Sequence, residues 1–358
     1  MNLHDWTLIA VDPQSSVKHT LEVMDRAALQ IALVISADQI LVGTVTDGDI
    51  RRGLLAGFGL ESEIQNVMNK QPTLGFENES ALVWQKRIAK HQLRHLPIVS
   101  QSKKILGLFY QKQTQSALPN AVVLMLGGMG TRLRPLTENI PKPMLPVGNQ
   151  PILETIVRHI AEQGFEEFYF CINYLGQQIR DYFGDGEAFG VRIHYVEENE
   201  RMGTAGALSL LPKKLVEPFV VMNGDLLTKV DLKALLKFHQ DNGDIISACM
   251  REYSQQVPYG VIEMDGHQIN QLVEKPIYRY FVNAGIYAIS PKALDLMPSN
   301  EFFDMTSLIE KAMAENNKVG GFPLTEYWMD IGQMPDYYQA QADYEVHFQK
   351  RHALNLGY

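Results

Sequence analysis

The chain has 358 residues, 46% of them hydrophobic and 20% charged, and a formal net charge of −9. That composition is ordinary for a globular protein, and the length allows two domains with separate cores. The acidic balance argues against non-specific nucleic-acid binding, which needs a basic footprint, but not against small phosphates, which a local cluster of cations can hold.

No uncharged apolar run reaches the roughly 18 residues that a membrane helix needs. The N-terminus shows neither the basic nor the apolar region of a secretion signal. The two cysteines, Cys171 and Cys249, sit in apolar strand-like segments. The expectation is a reduced, cytoplasmic protein with buried thiols and with no membrane or nucleic-acid partner.

In chain order, an amphipathic stretch from Val17 to Ala28 precedes an apolar strand, Ile31–Ile35. A polar turn at Ala37-Asp38-Gln39 and a second strand, Ile40–Val45, follow. The series of helix, strand, turn and strand returns about 60 residues later, a sign of internal duplication. There it reads Ala81–His91, Leu96–Val99, a turn at Gln101 to Lys104, and Ile105–Phe109.

The first copy ends in Thr46-Asp47-Gly48-Asp49-Ile50-Arg51-Arg52. An aspartate there can pair with ribose hydroxyls, while Thr46, Arg51 and Arg52 offer donors to phosphate. A plainer alternative has Asp49 capping a helix that begins near Ile50, in a unit that only dimerises the protein or covers a surface. The second copy has Leu108-Phe109-Tyr110-Gln111 at the corresponding place, with no acid, so at most one cleft carries the pattern. This half resembles a tandem pair of CBS domains. The resemblance implies a small α+β unit over 1–117 and a regulatory adenine nucleotide, AMP or ATP, held by Thr46, Asp49 and Arg51.

The polar stretch from Gln111 to Asn120, closing on Pro119, marks the seam between two halves. The second half, 118–358, opens with Ala121–Leu126, an apolar strand running into Gly127-Gly128-Met129-Gly130-Thr131-Arg132-Leu133-Arg134-Pro135. A strand leading into Gly-Gly-x-Gly suits a phosphate-binding turn, because glycines let backbone N–H groups approach phosphate oxygens. The spacing lacks the third glycine of a dinucleotide fingerprint and the Gly-Lys-Ser/Thr of a Walker loop. Arg132 stands where a guanidinium could grip a triphosphate. Lys142 is pinned between Pro141 and Pro143, which lowers the entropy it loses on engaging a phosphate.

Further along, Glu198 to Leu208 passes from polar to small residues and opens a helix, with Thr204 available as its cap. Phe219–Asp225 is a buried strand ending in an acid, and Tyr327–Gly332 places Asp330 at the end of a second apolar stretch. Val273-Glu274-Lys275-Pro276, Tyr259-Gly260-Val261-Ile262 and Phe281–Tyr287, with Asn283 and Gly285, complete the polar and glycine-bearing segments. The histidines make no metal-ligand spacing: His91 and His95 form an i, i+4 pair without a third ligand.

Taken in this order, Gly-Gly-x-Gly-Thr-Arg-Leu-x-Pro and Pro-Lys-Pro-x-Leu-Pro resemble the nucleotidyltransferases that activate sugar 1-phosphates. The resemblance runs through the remaining ~240 residues and implies a Rossmann-like α/β domain with a mixed sheet and helices on both faces. It implies nucleotide contacts from Leu126, Gly127, Gly128, Gly130 and Thr131 and from a base-facing loop of Gly203, Thr204 and Ala205. It assigns Mg²⁺ to Asp225 and Asp330, in keeping with that ion's habit of taking one or two carboxylates. Arg132, Lys142, Asp225 and Lys275 become the catalytic set, and Gly260, Glu274, Asn283 and Gly285 the sugar side.

The implied reaction is an in-line displacement at the α-phosphorus of a nucleoside triphosphate by a sugar 1-phosphate, releasing pyrophosphate. The attacking phosphate is already ionised near pH 7, so no general base is needed. The motifs are nearer to the guanylyltransferase branch, acting on mannose or a glucosamine-type 1-phosphate for surface-glycan precursors. A uridylyl- or thymidylyltransferase acting on glucose 1-phosphate and a catalytically inactive nucleotide sensor are the alternatives. The chain ends soon after a helix expected over Tyr337 to Lys350, so no left-handed-helix acetyltransferase domain is expected. A homo-oligomer is expected.

Overall fold

The protein is described by a computed structural model covering residues 5–27, 29–91, 93–110, 117–212 and 215–348. Ala28, most of the polar seam and the end of the helix expected to reach Lys350 lie outside the described residues. The chain divides into two compact units, Met1–Gln115 and Ser116–Tyr358.

In the first unit, β1 (Ala10–Val11), α1 (Val17–Ala27), β2 (Ile31–Ile35), β3 (Leu41–Thr46) and α2 (Asp47–Leu55) are followed by β4 (Gly75–Phe76), α3 (Ala81–His91), β5 (His95–Val99) and β6 (Ile105–Tyr110). The strands form two three-stranded sheets, β1-β2-β3 and β4-β5-β6. In each, the first pair is parallel and the second antiparallel. All five residues of β2 are buried, as befits an unbroken apolar strand at the centre of a sheet.

The duplication extends to the hairpin turns. Ser36 and Ser100 each donate their N–H across the turn, to Ile40 and Lys104 respectively. Gln39 and Lys103 occupy the left-handed region at φ 61° and 62°, an uncommon conformation for residues other than glycine.

The second unit is built on a seven-stranded mixed sheet. Its elements are β7 (Val122–Met125), the small hairpin β8 (Pro146–Val147) and β9 (Gln150–Pro151), α4 (Ile152–Ala161), β10 (Glu167–Ile172), α5 (Gly176–Phe183), β11 (Arg192–Glu197), β12 (Phe219–Asn223) and β13 (Leu226–Thr228). They continue as α6 (Leu232–Asn242), β14 (Ile246–Gln256), β15 (Val261–Asp265), β16 (Gln268–Val273), β17 (Ile277–Ile289), α7 (Met305–Ala314), β18 (Val319–Pro323), β19 (Trp328–Asp330) and α8 (Met334–His347). The sheet order is β11-β10-β7-β12-β17-β14-β18. β17 runs antiparallel to β12 and β14, and the remaining pairs are parallel.

Successive residues of the central strands feed opposite cores, as strand periodicity requires. Val122, Leu124, Phe168, Phe170, Val220 and Met222 pack with α4, α5 and α6. Val123, Tyr169, Cys171, Phe219 and Val221 pack on the other face with α7. Helices therefore cover both faces, and both cysteines are buried with neither in a disulfide. No helix among the described residues is long and apolar enough to cross a membrane.

Three local expectations change. Helix α2 starts at Asp47 rather than near Ile50, and its cap is Thr46. Asp49 sits at the third helical position and completes a capping box: its carboxylate accepts from the Thr46 N–H at 2.8 Å. The segment after Glu198 forms only a 3-10 turn, Gly206–Leu210, with no side-chain cap, because Thr204 is bonded elsewhere. Helix α8 begins at Met334, three residues before its expected start at Tyr337.

Candidate active site

The site lies at the carboxyl ends of the adjacent parallel strands β7 and β12, where ligands bind in open α/β sheets. The chain leaves β7 through the glycine loop. At Gly130 the backbone is left-handed, φ 60°. A Cβ there would stand 3.0 Å from Thr137 Cγ2 and 3.1 Å from Lys142 Cβ, so glycine lets the loop lie directly on the lysine segment. The Thr137 hydroxyl closes the loop by donating to the Gly130 carbonyl at 2.7 Å. Thr131–Leu133 is a single 3-10 turn that projects Arg132 outward. Lys142 lies in a second such turn with Pro141 as its N-cap. It is buried, with 8% of its surface exposed.

Two acids converge through a pairing that the sequence does not display. Asp225 follows β12, and Asp330 ends β19, far along the chain. The short antiparallel pair β13–β19 sets Leu226 opposite Asp330, and the Ile331 N–H donates to the Asp225 carbonyl at 3.2 Å. The Lys142 ammonium donates to Asp225 Oδ2. The other oxygen, Oδ1, is buried and has no hydrogen-bond partner, an arrangement that costs free energy unless a further ligand is supplied. The surrounding walls, by thinning the water, and the charge of Asp225 push the Asp330 carboxyl above its usual value, while Lys142 and Arg132 pull it down. Two hard oxygen donors, one with an orphaned atom, fit Mg²⁺. Among the described residues no group of three or more acids, histidines or cysteines could hold a metal.

Together these elements line a cleft of about 390 Å³. Of the residues singled out in the sequence, Gly128, Gly130, Thr131, Arg132, Lys142, Thr204, Asp225 and Asp330 face it. Leu126 and Ala205 are buried behind it in the cores. Gly127 is needed because a Cβ would come within 2.8 Å of Glu198 Oε1. Gly203, φ 78°, yields to a neighbour: its Cβ would stand 2.6 Å from the Phe303 carbonyl oxygen. Thr204 is pinned there too, its N–H and hydroxyl both donating to Asp304 Oδ1 at 3.0 and 3.1 Å.

The sugar-side residues divide. Asn283 Oδ1 accepts from the Gly285 N–H at 3.0 Å and from the Tyr287 hydroxyl at 2.9 Å. Gly285, φ 70°, packs against Asn223, a residue of the cleft wall. Glu274 lies close to Gly260, and Lys275, itself at φ 47°, donates its N–H to the Tyr259 carbonyl. These last three stand by the β15–β16 hairpin and are not brought into the cleft wall.

Sequence reasoning passed over Glu198, Arg201 and Asn223. Arg201 and Asn223 line the cleft, and Glu198 is a buried carboxylate behind the glycine loop. Burial pushes the Glu198 carboxyl up, and its bond from the Met202 N–H opposes that. Each stood within or beside a segment already singled out, but only packing shows which way it faces. In the first unit, Asp49 is engaged by Thr46 and Arg52. Arg51 is buried and Arg52 is exposed, so the outward cation of the pair is Arg52.

A sequence model for nucleotidyl transferases matches residues 121–347, and one for the CBS domain matches residues 5–56. A UTP–glucose-1-phosphate uridylyltransferase from Synechocystis is 32% identical over 242 residues, 61% of this chain and 61% of that protein. A probable mannose-1-phosphate guanylyltransferase 1 from Oryza sativa subsp. japonica is 33% identical over 229 residues, 60% of this chain and 62% of that protein. The chain thus spans about three fifths of the length of these relatives. Among solved structures, HddC from Yersinia pseudotuberculosis, also known in complex with GMP-PN, is 27% identical with a TM-score of 0.51, covering 63% of this chain and 99% of that one. With the matched region taking up more than half of its length, the chain belongs to the nucleotidyl transferase family and carries a CBS domain on its N-terminal side.

Proposed function

We propose that the second unit transfers a nucleotidyl group from a nucleoside triphosphate to a sugar 1-phosphate with release of pyrophosphate, and that the nucleotide is GTP. The observation that carries the reaction class is the meeting, across one cleft, of the glycine loop and Arg132 with Lys142, Asp225 and Asp330. A phosphate oxygen of the sugar 1-phosphate forms the new bond to the α-phosphorus as the bond to the pyrophosphate leaving group breaks. No proton has to move, so the residues act by alignment and charge neutralisation. Arg132 and Lys142 offset the negative charge of two anions that repel each other, with Lys275 assigned to the sugar phosphate. Asp225 and Asp330 would hold Mg²⁺, which when bound supplies further charge neutralisation on the phosphate oxygens.

The choice of base rests on the resemblance to guanylyltransferases, with Glu198, buried behind the glycine loop and outside the cleft wall, as the candidate reader of the base. The exposed edge of guanine presents two donors, N1–H and N2–H₂, which a carboxylate matches with its two acceptors. Uracil and thymine present one donor flanked by acceptors, and those acceptors would face a carboxylate oxygen. Sites that pair buried polar groups with a substrate reject the mismatched one strongly. The similarity to guanylyltransferases is in keeping with this reading, and mannose or a glucosamine-type 1-phosphate is its sugar. The uridylyltransferase relative favours a second reading, UTP with glucose 1-phosphate.

The test is pyrophosphate release with Mg²⁺, crossing GTP, UTP, dTTP, CTP and ATP with glucose, mannose and glucosamine 1-phosphates. GTP turnover that Glu198→Gln shifts towards UTP supports the assignment. A wild type that prefers UTP overturns the base, and no turnover with any pair overturns the reaction. The first unit is read as a regulatory site for AMP or ATP through Thr46, Asp49 and Arg51; equal AMP binding by wild type and Asp49→Ala overturns that.

A further inference from the structure

Helix α7 and one wall of the cleft exchange their hydrogen bonds. The N-cap of α7 is Asp304, a residue type that ordinarily turns its side-chain oxygen onto a free N–H of its own first turn. Asp304 makes no such bond. Its Oδ1 accepts instead from the N–H and the hydroxyl of Thr204, at 3.0 and 3.1 Å, a hundred residues away in the chain. Thr204 reciprocates: its hydroxyl oxygen accepts from the Met305 N–H at 2.9 Å. The helix is thus capped by a residue of another segment, while its own cap residue holds that segment.

The backbone completes the clamp. The Phe303 N–H donates to the Met202 carbonyl at 2.9 Å, and the Phe303 carbonyl accepts from the N–H groups of Ala205 and Gly206 at 3.0 and 2.9 Å. Met202, Ala205 and Gly206 are buried, and no change of side chain at 303 or 304 removes these donors and acceptors. Thr204, by contrast, is exposed and lines the cleft together with Gly128, Gly130 and Thr131 of the glycine loop. Gly203 beside it is left-handed, φ 78°, and a glycine has the most conformational freedom to lose on ordering. The cleft-facing tip is therefore held by its exchange with Asp304 and Met305. Asp304 itself is not part of the cleft wall.

We propose that Asp304 is a positioning residue for nucleotide binding, its carboxylate fixing Thr204 on the cleft wall before the nucleotide arrives. The inference rests on the nucleotidyl-transfer reading above but not on the identity of the base. A segment that is already ordered loses little entropy on binding, whereas a loose one loses it at that moment. The clamp is the same in the bound complex and in the transition state, so its removal raises KM and leaves kcat unchanged. The sugar side is spared, because Gly260, Glu274 and Lys275 stand outside the cleft wall.

The test is pyrophosphate release with Mg²⁺ by the full-length protein, with nucleotide and sugar 1-phosphate varied in turn over the pairs named above. Asp304→Ala removes an acceptor shared by two hydrogen bonds and is expected to raise the nucleotide KM about tenfold. Its kcat and its KM for the sugar 1-phosphate are expected to stay within about twofold of wild type. Asp304→Asn keeps Oδ1 as an acceptor and is expected to restore most of the nucleotide KM. Asp304→Ser supplies a favoured cap for α7 itself, so it is expected to melt like wild type and yet share the raised KM; it keeps the proposal testable should the alanine variant fail to fold. Isothermal titration of GTP and UTP into each protein reads the same ratio without turnover. A nucleotide KM and Kd unchanged in the alanine and serine variants, or an asparagine variant as impaired as alanine, overturns the role of Asp304. A lowered melting temperature with unchanged KM does so too, and assigns Asp304 to the helix alone. These results leave the reaction standing wherever wild type turns over. A wild type that binds nucleotide without turnover defeats the reaction instead, and the titrations then judge Asp304; one that binds no nucleotide overturns both.

Discussion

Replacing Lys142 by methionine tests the cation–carboxylate arrangement at the centre of the cleft. The substitution keeps an unbranched side chain of similar length in a buried seat and removes only the ammonium. In the wild type, Asp225 gives Oδ2 to Lys142 and keeps Oδ1 buried without a partner. Two unit charges 4 Å apart attract by about 1 kcal/mol in bulk water and about 4 kcal/mol at the effective dielectric of a protein surface. With the Asp225 side chain 25% exposed, the lower part of that range applies, about 1–2 kcal/mol. In the variant that attraction no longer competes with a divalent cation for the two aspartates.

Mg²⁺ binding without nucleotide is therefore expected to tighten by about five- to thirtyfold, while turnover falls by about 10²–10³ as a preorganised phosphate-facing charge disappears. Isothermal titration of Mg²⁺ or Mn²⁺ into both proteins reads the first, and pyrophosphate release reads the second. Metal binding that is unchanged or weaker in Lys142→Met would falsify the claim that Asp225 is shared between the lysine and a metal. Turnover within twofold of wild type would remove Lys142 from the catalytic set.

Gly285→Ala is expected to cost about 1–2 kcal/mol for the left-handed backbone alone, and more because the new methyl meets Asn223 Nδ2 at 2.7 Å. A lowered melting temperature and a raised KM for the sugar 1-phosphate check it; an unchanged KM would separate Asn223 from the sugar. Thr46→Ala removes the α2 cap and is expected to cost about 1 kcal/mol, read by urea denaturation of the first-unit transition. Burial lowers the pKa of His95 to about 4, helped by Arg94, and burial also lowers those of His159 and His239. Below about pH 6.5 the unfolded chain binds protons that these folded histidines refuse. Stability should then fall as pH drops from about 6.5 towards 4, by at most about 1.4 kcal/mol per pH unit for each histidine. A His95→Gln variant whose melting temperature falls with acid as steeply as wild type would contradict its share.

The sequence by itself determined the elements whose signal is local. The apolar runs at Ile31–Ile35 and Ala121–Leu126 are strands because a short stretch of buried residues can be read without knowing its neighbours. The glycine loop, the proline-bracketed lysine and the duplicated helix–strand–turn–strand series are local in the same sense. Helix starts were less legible: Thr46 rather than a later residue caps α2, because Asp49 reaches back to its N–H, and a capping box is settled by side-chain geometry.

Only the tertiary structure decided which groups share a site. Asp225 meets Asp330 through the β13–β19 pair, a contact between segments about a hundred residues apart that no spacing encodes. Gly203 is glycine because the Phe303 carbonyl passes beside it, and Thr204 does not cap the turn that follows it because its hydroxyl oxygen accepts instead from the Met305 N–H at the start of α7. Glu198 and Asn223 were visible as letters, but their burial and direction follow from packing against Gly127 and Gly285. Local chemistry named the parts, and long-range strand pairing brought them into one cleft.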